Sequence, residues 1–352
     1  YAAYNGNIEE IKILLLNGAN IDLQDSCDGN TALIVSILNF KLEVALYLIN
    51  EGANVNIQDS YGYTALIWAT YNGIVPIVEI LIQKGAYLDN QNIEKTTALL
   101  MASNMGHFNL VKLFVENGAE FDIQNNEGNS AFKVAICKNY FDIAFYLIEK
   151  GANINIQDYK GETALMHVVN KGYMRIVKML VNNGANIDIQ DNEGNSALII
   201  AARKSDDIAM FLINSGANID IQNNYKQSVI FHYTHCHDIN MLNSIIDAGA
   251  NIFAKNNNQD TILMICAHYN FNTLYDLITD KIVKQIENAD YETPCKLIHS
   301  YNNMNELEKE ITIINGYISN KKKMYLSDSV PIGNINKIRS EEHTSELRHA
   351  NI

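Results

Sequence analysis

The chain has 352 residues, 47% hydrophobic and 19% charged, so it carries enough apolar material to fold and is not generically disordered. Its 26 basic and 40 acidic residues give a net charge of −14 and a pI near 5.0. That balance argues against duplex nucleic acid or an anionic membrane surface as partner, because both require a basic footprint. No apolar run reaches the roughly 18 residues needed to cross a bilayer, and no signal peptide is visible. The five cysteines (Cys27, Cys137, Cys236, Cys266 and Cys295) are odd in number and lack CxxC spacing, so a reducing, cytoplasmic setting is expected. Asn and Ile each occur 48 times. Their codons are AT-rich, and the excess reads first as genomic bias and only second as chemistry.

The predicted elements recur from the first residues onward. Ala2-Ala3-Tyr4-Asn5-Gly6 aligns with Ala69-Thr70-Tyr71-Asn72-Gly73, so the chain starts inside a helix of its first repeat, and a truncated N-terminus is expected. Gly-Ala then recurs at Gly18, Gly52, Gly85, Gly118, Gly151, Gly184, Gly216 and Gly249, at spacings of 34, 33, 33, 33, 33, 32 and 33. A second column of Thr31, Thr64, Thr97, Ser130, Thr163, Ser196, Ser228, Thr261 and Thr293 runs in phase with it.

Each column has a physical reason. Thr163 precedes an apolar-periodic stretch, where its hydroxyl can cap a helix N-terminus, while Ala164 lets helices approach and Leu165 points to the core. Gly172 marks a turn. Ile176, Val177, Leu180 and Val181 then form the apolar stripe of a second helix. Gly184 stands where a helix end needs positive φ, and Asp191-Asn192-Glu193-Gly194 reads as a tight turn.

Helix, turn, helix and a β-turn loop every 33 residues resembles the ankyrin repeat, whose Thr-Pro-Leu-His-x-Ala signature appears here as Thr64-Ala65-Leu66-Ile67-Trp68-Ala69. The resemblance runs from Tyr1 to about Gly316. It implies an all-α solenoid of about nine stacked repeats with β-hairpin finger loops, because a single repeat cannot bury its own apolar face. Two departures stand out. The signature Pro appears only at Pro294. The signature His is replaced by Ile34, Ile67, Leu100, Lys133, Met166, Ile199, Phe231 and Met264, which turns a polar position into a mostly apolar packing position.

Candidate chemistry is sparse. His232-Tyr233-Thr234-His235-Cys236-His237, with Cys266 and His268 one repeat on, contains zinc-ligand residue types. His232 occupies a largely apolar column, His237 replaces a turn Gly and Cys266 replaces the packed Ala, so no metal or cofactor is expected. There is no Gly-rich phosphate loop and no GxSxG. Asp59, Asp158 and Asp191 sit at repeat-locked turn positions, where they hold backbone rather than move protons. An open groove does not exclude water as an active site does, so no enzyme activity and no small-molecule substrate are expected. Trp68 reads as packing. The repeated Gln24, Gln58, Gln91, Gln124, Gln157, Gln190 and Gln222 read as a ladder that supports the fingers.

Specificity should lie where repeats differ, and the resemblance places two such sets on the concave side. The finger-tip set includes Tyr61, Tyr63, Tyr159 and Tyr225. The set at the end of the first helix includes Tyr71, Asn72, Met105, Lys138, Lys171, Arg203, Lys204 and His235. Tyr and Arg make good interface anchors. Lys138, Lys171, Arg203 and Lys204 form a basic stripe on three successive repeats of an acidic molecule, whereas the N-terminal repeats offer Tyr61, Tyr63, Tyr71 and Met105. The expected function is a non-catalytic scaffold that holds another protein along its groove. The alternative is the targeting arm of a larger adaptor or effector.

The C-terminal part reads differently. Residues 1–316 are expected to form the solenoid and 317–338 a polar tail containing Lys321-Lys322-Lys323. Residues 339–352, with Arg339-Ser340-Glu341-Glu342-His343-Thr344-Ser345-Glu346-Leu347, resemble a translated sequencing-library adapter and are expected to be an artefact.

Overall fold

A computed structural model describes residues 1–287. The expected closing helix at Asn305–Ile314, the polar tail and the adapter-like stretch lie outside the described residues. The structure divides into a unit spanning Tyr1–Asn224 and a second that begins at Tyr225.

The first unit contains seven helix pairs: α1 (Ala2–Asn5) with α2 (Ile8–Leu16), α3 (Ala32–Leu38) with α4 (Leu42–Asn50), α5 (Ala65–Tyr71) with α6 (Val75–Gln83), α7 (Ala98–Met105) with α8 (Phe108–Glu116), α9 (Ala131–Cys137) with α10 (Phe141–Glu149), α11 (Ala164–Lys171) with α12 (Met174–Asn182), and α13 (Ala197–Ala202) with α14 (Asp206–Asn214). The second unit holds α15 (Val229–His235) with α16 (Ile239–Asp247) and α17 (Ile262–His268) with α18 (Asn272–Glu287). In the first unit the odd-numbered helices pack on one another in series from α1 to α13, and the even-numbered ones do so from α2 to α10.

The Thr/Ser column does what its chemistry predicts. Thr31, Thr64, Thr97, Ser130, Thr163, Ser196 and Thr261 each accept a hydrogen bond from the first-turn N–H of the helix they begin. Such a cap is worth about 1 kcal/mol. Among the described residues Ser228 is the exception and makes no side-chain cap bond. In α5, Ala65, Leu66, Ile67 and Ala69 are all 1% exposed or less, so the first helix is buried on nearly every side. The second helix buries a stripe, Ile77, Val78 and Leu81 in α6. Each such aliphatic side chain contributes about 1.5–3 kcal/mol. Most of the replaced-His column is core as expected: Ile34, Ile67, Leu100, Met166 and Phe231 are fully buried, whereas Met264 is half-buried.

On the outer side the second helices are tied by rings and cations. Phe108 packs edge-on against Tyr146 at 5.6 Å, and the Lys112 ammonium lies 4.4 Å from the Phe108 ring and 5.9 Å from Tyr146. Lys178 lies over Phe211 at 5.6 Å in the same way. No helix among the described residues is long and apolar enough to cross a membrane.

Candidate functional site

The finger loops are built by the turn carboxylates and amides. Asp59 Oδ1 accepts the N–H groups of Tyr61 (2.9 Å) and Tyr63 (2.8 Å), and Asp158 and Asp191 repeat the arrangement in their own turns. The antiparallel pairing is short. It amounts to isolated bridges at Gln58–Thr64 and Gln190–Ser196 rather than full strands, because the turn is closed by side chains as much as by backbone.

Three ladders join successive fingers of the first unit. The glutamine column donates sideways: Gln58 to the Gln91 carbonyl (2.9 Å), Gln124 to Gln157 (2.9 Å) and Gln157 to Gln190 (3.0 Å). Backbone N–H groups do the same, with Ile93 donating to Tyr61 O, Tyr159 to Glu127 O and Asn192 to Lys160 O. The third ladder was not foreseen. Asp22, Asn56, Asp89, Asp122, Asn155 and Asp188 each accept the N–H of the residue after the next Gly-Ala. The Asn and Asp columns therefore hold the stack, and the asparagine excess is structural as well as compositional.

The variable positions rest on this frame. Tyr61, Tyr71 and Tyr159 are exposed by 50%, 44% and 64%, while Tyr63, Asn72 and Met105 are half-buried. Trp68 joins two of them. Its indole N–H donates to Asp59 Oδ2 at 2.8 Å, its ring stacks on Tyr63 at 4.4 Å, and Tyr71 meets it edge-on at 5.9 Å. Finger and helix end thus form one aromatic corner. Asn72 reaches back toward the Ile37 carbonyl at 3.5 Å.

The basic stripe occupies equivalent places. Lys138 and Arg203 are the C-cap residues of α9 and α13, and Lys171 is the last residue of α11. Cations there complement the negative end of the helix dipole. All three and Lys204 are exposed, and among the described residues none of the four is ion-paired.

Comparison with known proteins matches this architecture to a family. The family model for ankyrin repeats (3 copies) matches residues 1–92, 84–158 and 157–223. The chain belongs to the ankyrin-repeat family. A curated relative, ankyrin repeat and SAM domain-containing protein 6 of Mus musculus, is 36% identical over 63 residues, which is 18% of this chain and 7% of the relative. The chain thus spans a small fraction of that relative's length. Ankyrin repeats are generally protein–protein interaction modules and typically non-enzymatic.

Within this ankyrin unit, one polar cluster escaped the sequence reading. Lys133, in the replaced-His column, is 2% exposed; its ammonium pairs with Asp158 Oδ2 at 2.8 Å and donates to the Glu162 carbonyl. Both members sit in columns visible in the sequence, yet the charge at Lys133 against an otherwise apolar column was the only signal. Nearby His167 is half-buried, and burial, followed by the positive charges of Lys171 and Lys133, holds its imidazole below the ordinary range.

In the second unit, Tyr225 is 61% exposed and His235 is exposed in the last turn of α15. His235 Nδ1 is turned onto the Phe231 carbonyl at 2.6 Å, and His237 takes the turn glycine's place with φ of 56°. Cys266 is fully buried, which pushes its thiol up to about 12. Among the described residues no group of three or more His, Cys, Asp or Glu is placed to hold a metal ion.

Proposed function

We propose that the first unit is a protein-binding scaffold that holds an extended partner segment between its finger tips and first-helix ends. The observation that carries this reading is a set of four exposed cations, Lys138, Lys171, Arg203 and Lys204, without an ion pair among the described residues of a chain of net charge −14. They stand in register with the aromatic corner of Tyr63, Trp68 and Tyr71 two repeats earlier. Exposed Tyr61 and Tyr159 add aromatic surface of the type favoured at interface hot spots. The half-buried Asn72 and Met105 line the same helix ends; in the second unit, taken by itself, Tyr225 and His235 hold a finger-loop and a first-helix-end position.

We propose that the chain carries about nine repeats, which the Gly-Ala column reaching Gly249 and helix pairing through α18 support. We also propose a cytoplasmic setting and no catalytic role. Hydrogen–deuterium exchange of the full chain with its bound partner tests the surface. Protection is expected in the finger loops and first-helix ends. Protection confined to α6, α8, α10 and α12 would overturn it.

A further inference from the structure

We infer that the aromatic corner around Trp68 anchors an arginine side chain of the partner, and that the partner's acidic stretch lies along the basic stripe. This rests on the scaffold reading above and assigns the partner segment its chemistry.

The corner is electron-rich by construction. The Trp68 indole donates its N–H to the Asp59 carboxylate, which pushes electron density into a ring already stacked on Tyr63. That carboxylate is 7% exposed and accepts the Tyr61 and Tyr63 N–H groups through its other oxygen, so it is fixed in place. The Tyr63 hydroxyl is pushed up by burial first, then by the negative charges of Glu94 and Asp59. A π platform in a negative field is poorly matched to a carboxylate. It suits a flat cation, and guanidinium stacks on aromatic faces better than ammonium. Trp68 is itself half-buried, and Tyr71, 44% exposed, meets it edge-on, so part of the corner's aromatic surface is open to solvent.

Two repeats further on, the sign reverses at Lys138 and then at Lys171, Arg203 and Lys204. With helices stacked at about 10 Å, the corner and the start of the stripe are on the order of 20 Å apart. An extended segment covers that distance in about six residues. The partner segment is therefore dipolar, with an arginine followed or preceded at that spacing by carboxylates.

Trp68 is the chain's single tryptophan, so its emission reports on this corner alone. The test titrates the full chain with short Gly-Ser peptides identical except for one central arginine, lysine, glutamine or glutamate. The arginine peptide is expected to change Trp68 emission saturably, at a half-point about two- to five-fold below that of the glutamine peptide. Tyr71→Ala, a change at an exposed position, is expected to erase that preference while circular dichroism stays unchanged. Equal half-points for arginine, glutamine and glutamate would overturn the anchor. A protein partner that perturbs Trp68 without any arginine dependence also overturns the anchor but leaves the scaffold reading intact. A partner that binds while leaving both Trp68 emission and finger-loop exchange unchanged overturns the scaffold reading itself.

Discussion

Lys133 and Asp158 form an ion pair between adjacent repeats, 2.8 Å apart, with the lysine side chain 2% and the aspartate 14% exposed. Neighbouring repeats manage the same junction without charge, using Ile67 and Leu100 in the lysine's column and Asn92 and Asn125 in the aspartate's. Taking an ammonium out of water is costly, and its partner offsets that cost. Asp158→Asn is therefore expected to destabilise the chain by about 3 kcal/mol or more, because it leaves a buried cation without a counter-ion. Adding Lys133→Met should recover most of the loss, since Met166 and Asn125 show that both residues fit their columns. Urea denaturation of the three variants checks this; a double variant no better than Asp158→Asn would contradict it.

The same pair sets an acid limb. Burial alone would raise the Asp158 carboxyl, but the Lys133 hydrogen bond, the N–H of Glu162, the Lys133 charge and the N–H of Lys160 together bring it below the ordinary carboxylate range. A depressed carboxyl binds fewer protons folded than unfolded. Its stabilisation is therefore complete above the ordinary aspartate value of about 4 and is lost as pH falls through the lower folded value. Denaturation midpoints should fall through that window in the wild type, and less steeply in the Lys133→Met/Asp158→Asn variant.

Two glycines with similar backbone angles should respond differently to alanine. Gly184, at φ 86°, ends α12 in open space, and a methyl group added there would meet nothing within 4 Å. Its N–H and that of Ala185 close the helix on Val181 and Leu180. Gly161, at φ 75°, faces the next finger, and a Cβ there would stand 2.7 Å from the Asn192 backbone nitrogen. Gly184→Ala should cost only the left-handed penalty of about 1–2 kcal/mol. Gly161→Ala adds a clash of about 1–3 kcal/mol and breaks the finger ladder. Equal losses in thermal denaturation would contradict this.

His167 offers a local check on the charge near the basic stripe. Its imidazole should titrate below the ordinary range of about 6.5, remaining neutral where exposed histidines are charged. Lys171→Gln should raise its midpoint part of the way, because burial, the larger cause, remains. The imidazole proton shifts in NMR report this directly.

The scaffold was legible because its requirements recur. Thr163 must cap, Gly184 must take positive φ, and Gln157 must reach the next finger, so each left a column in phase with the others. The turn role of Asp59 and Asp191 and the placement of His237 at a glycine position were legible for the same reason. Contacts that occur once leave no column. The Lys133–Asp158 pair and the stacking of Tyr63 on Trp68 join different columns in one repeat junction or one repeat only. The Asp22–Asn56–Asp89 ladder did recur, yet it was hidden because Asn and Asp alternate in it and asparagine is abundant everywhere.

On the proposed scaffold the first-helix ends, and not the outer helices, hold the partner. With a partner isolated on the full chain, calorimetric titration should compare wild type, Lys171→Glu/Arg203→Glu and the outer-face control Arg175→Glu at two salt concentrations. The double reversal is expected to weaken binding by about tenfold or more and to flatten the salt dependence, as when steering charges are lost. Arg175→Glu is expected to change neither. Unchanged affinity and salt dependence in the double reversal would contradict that placement of the partner.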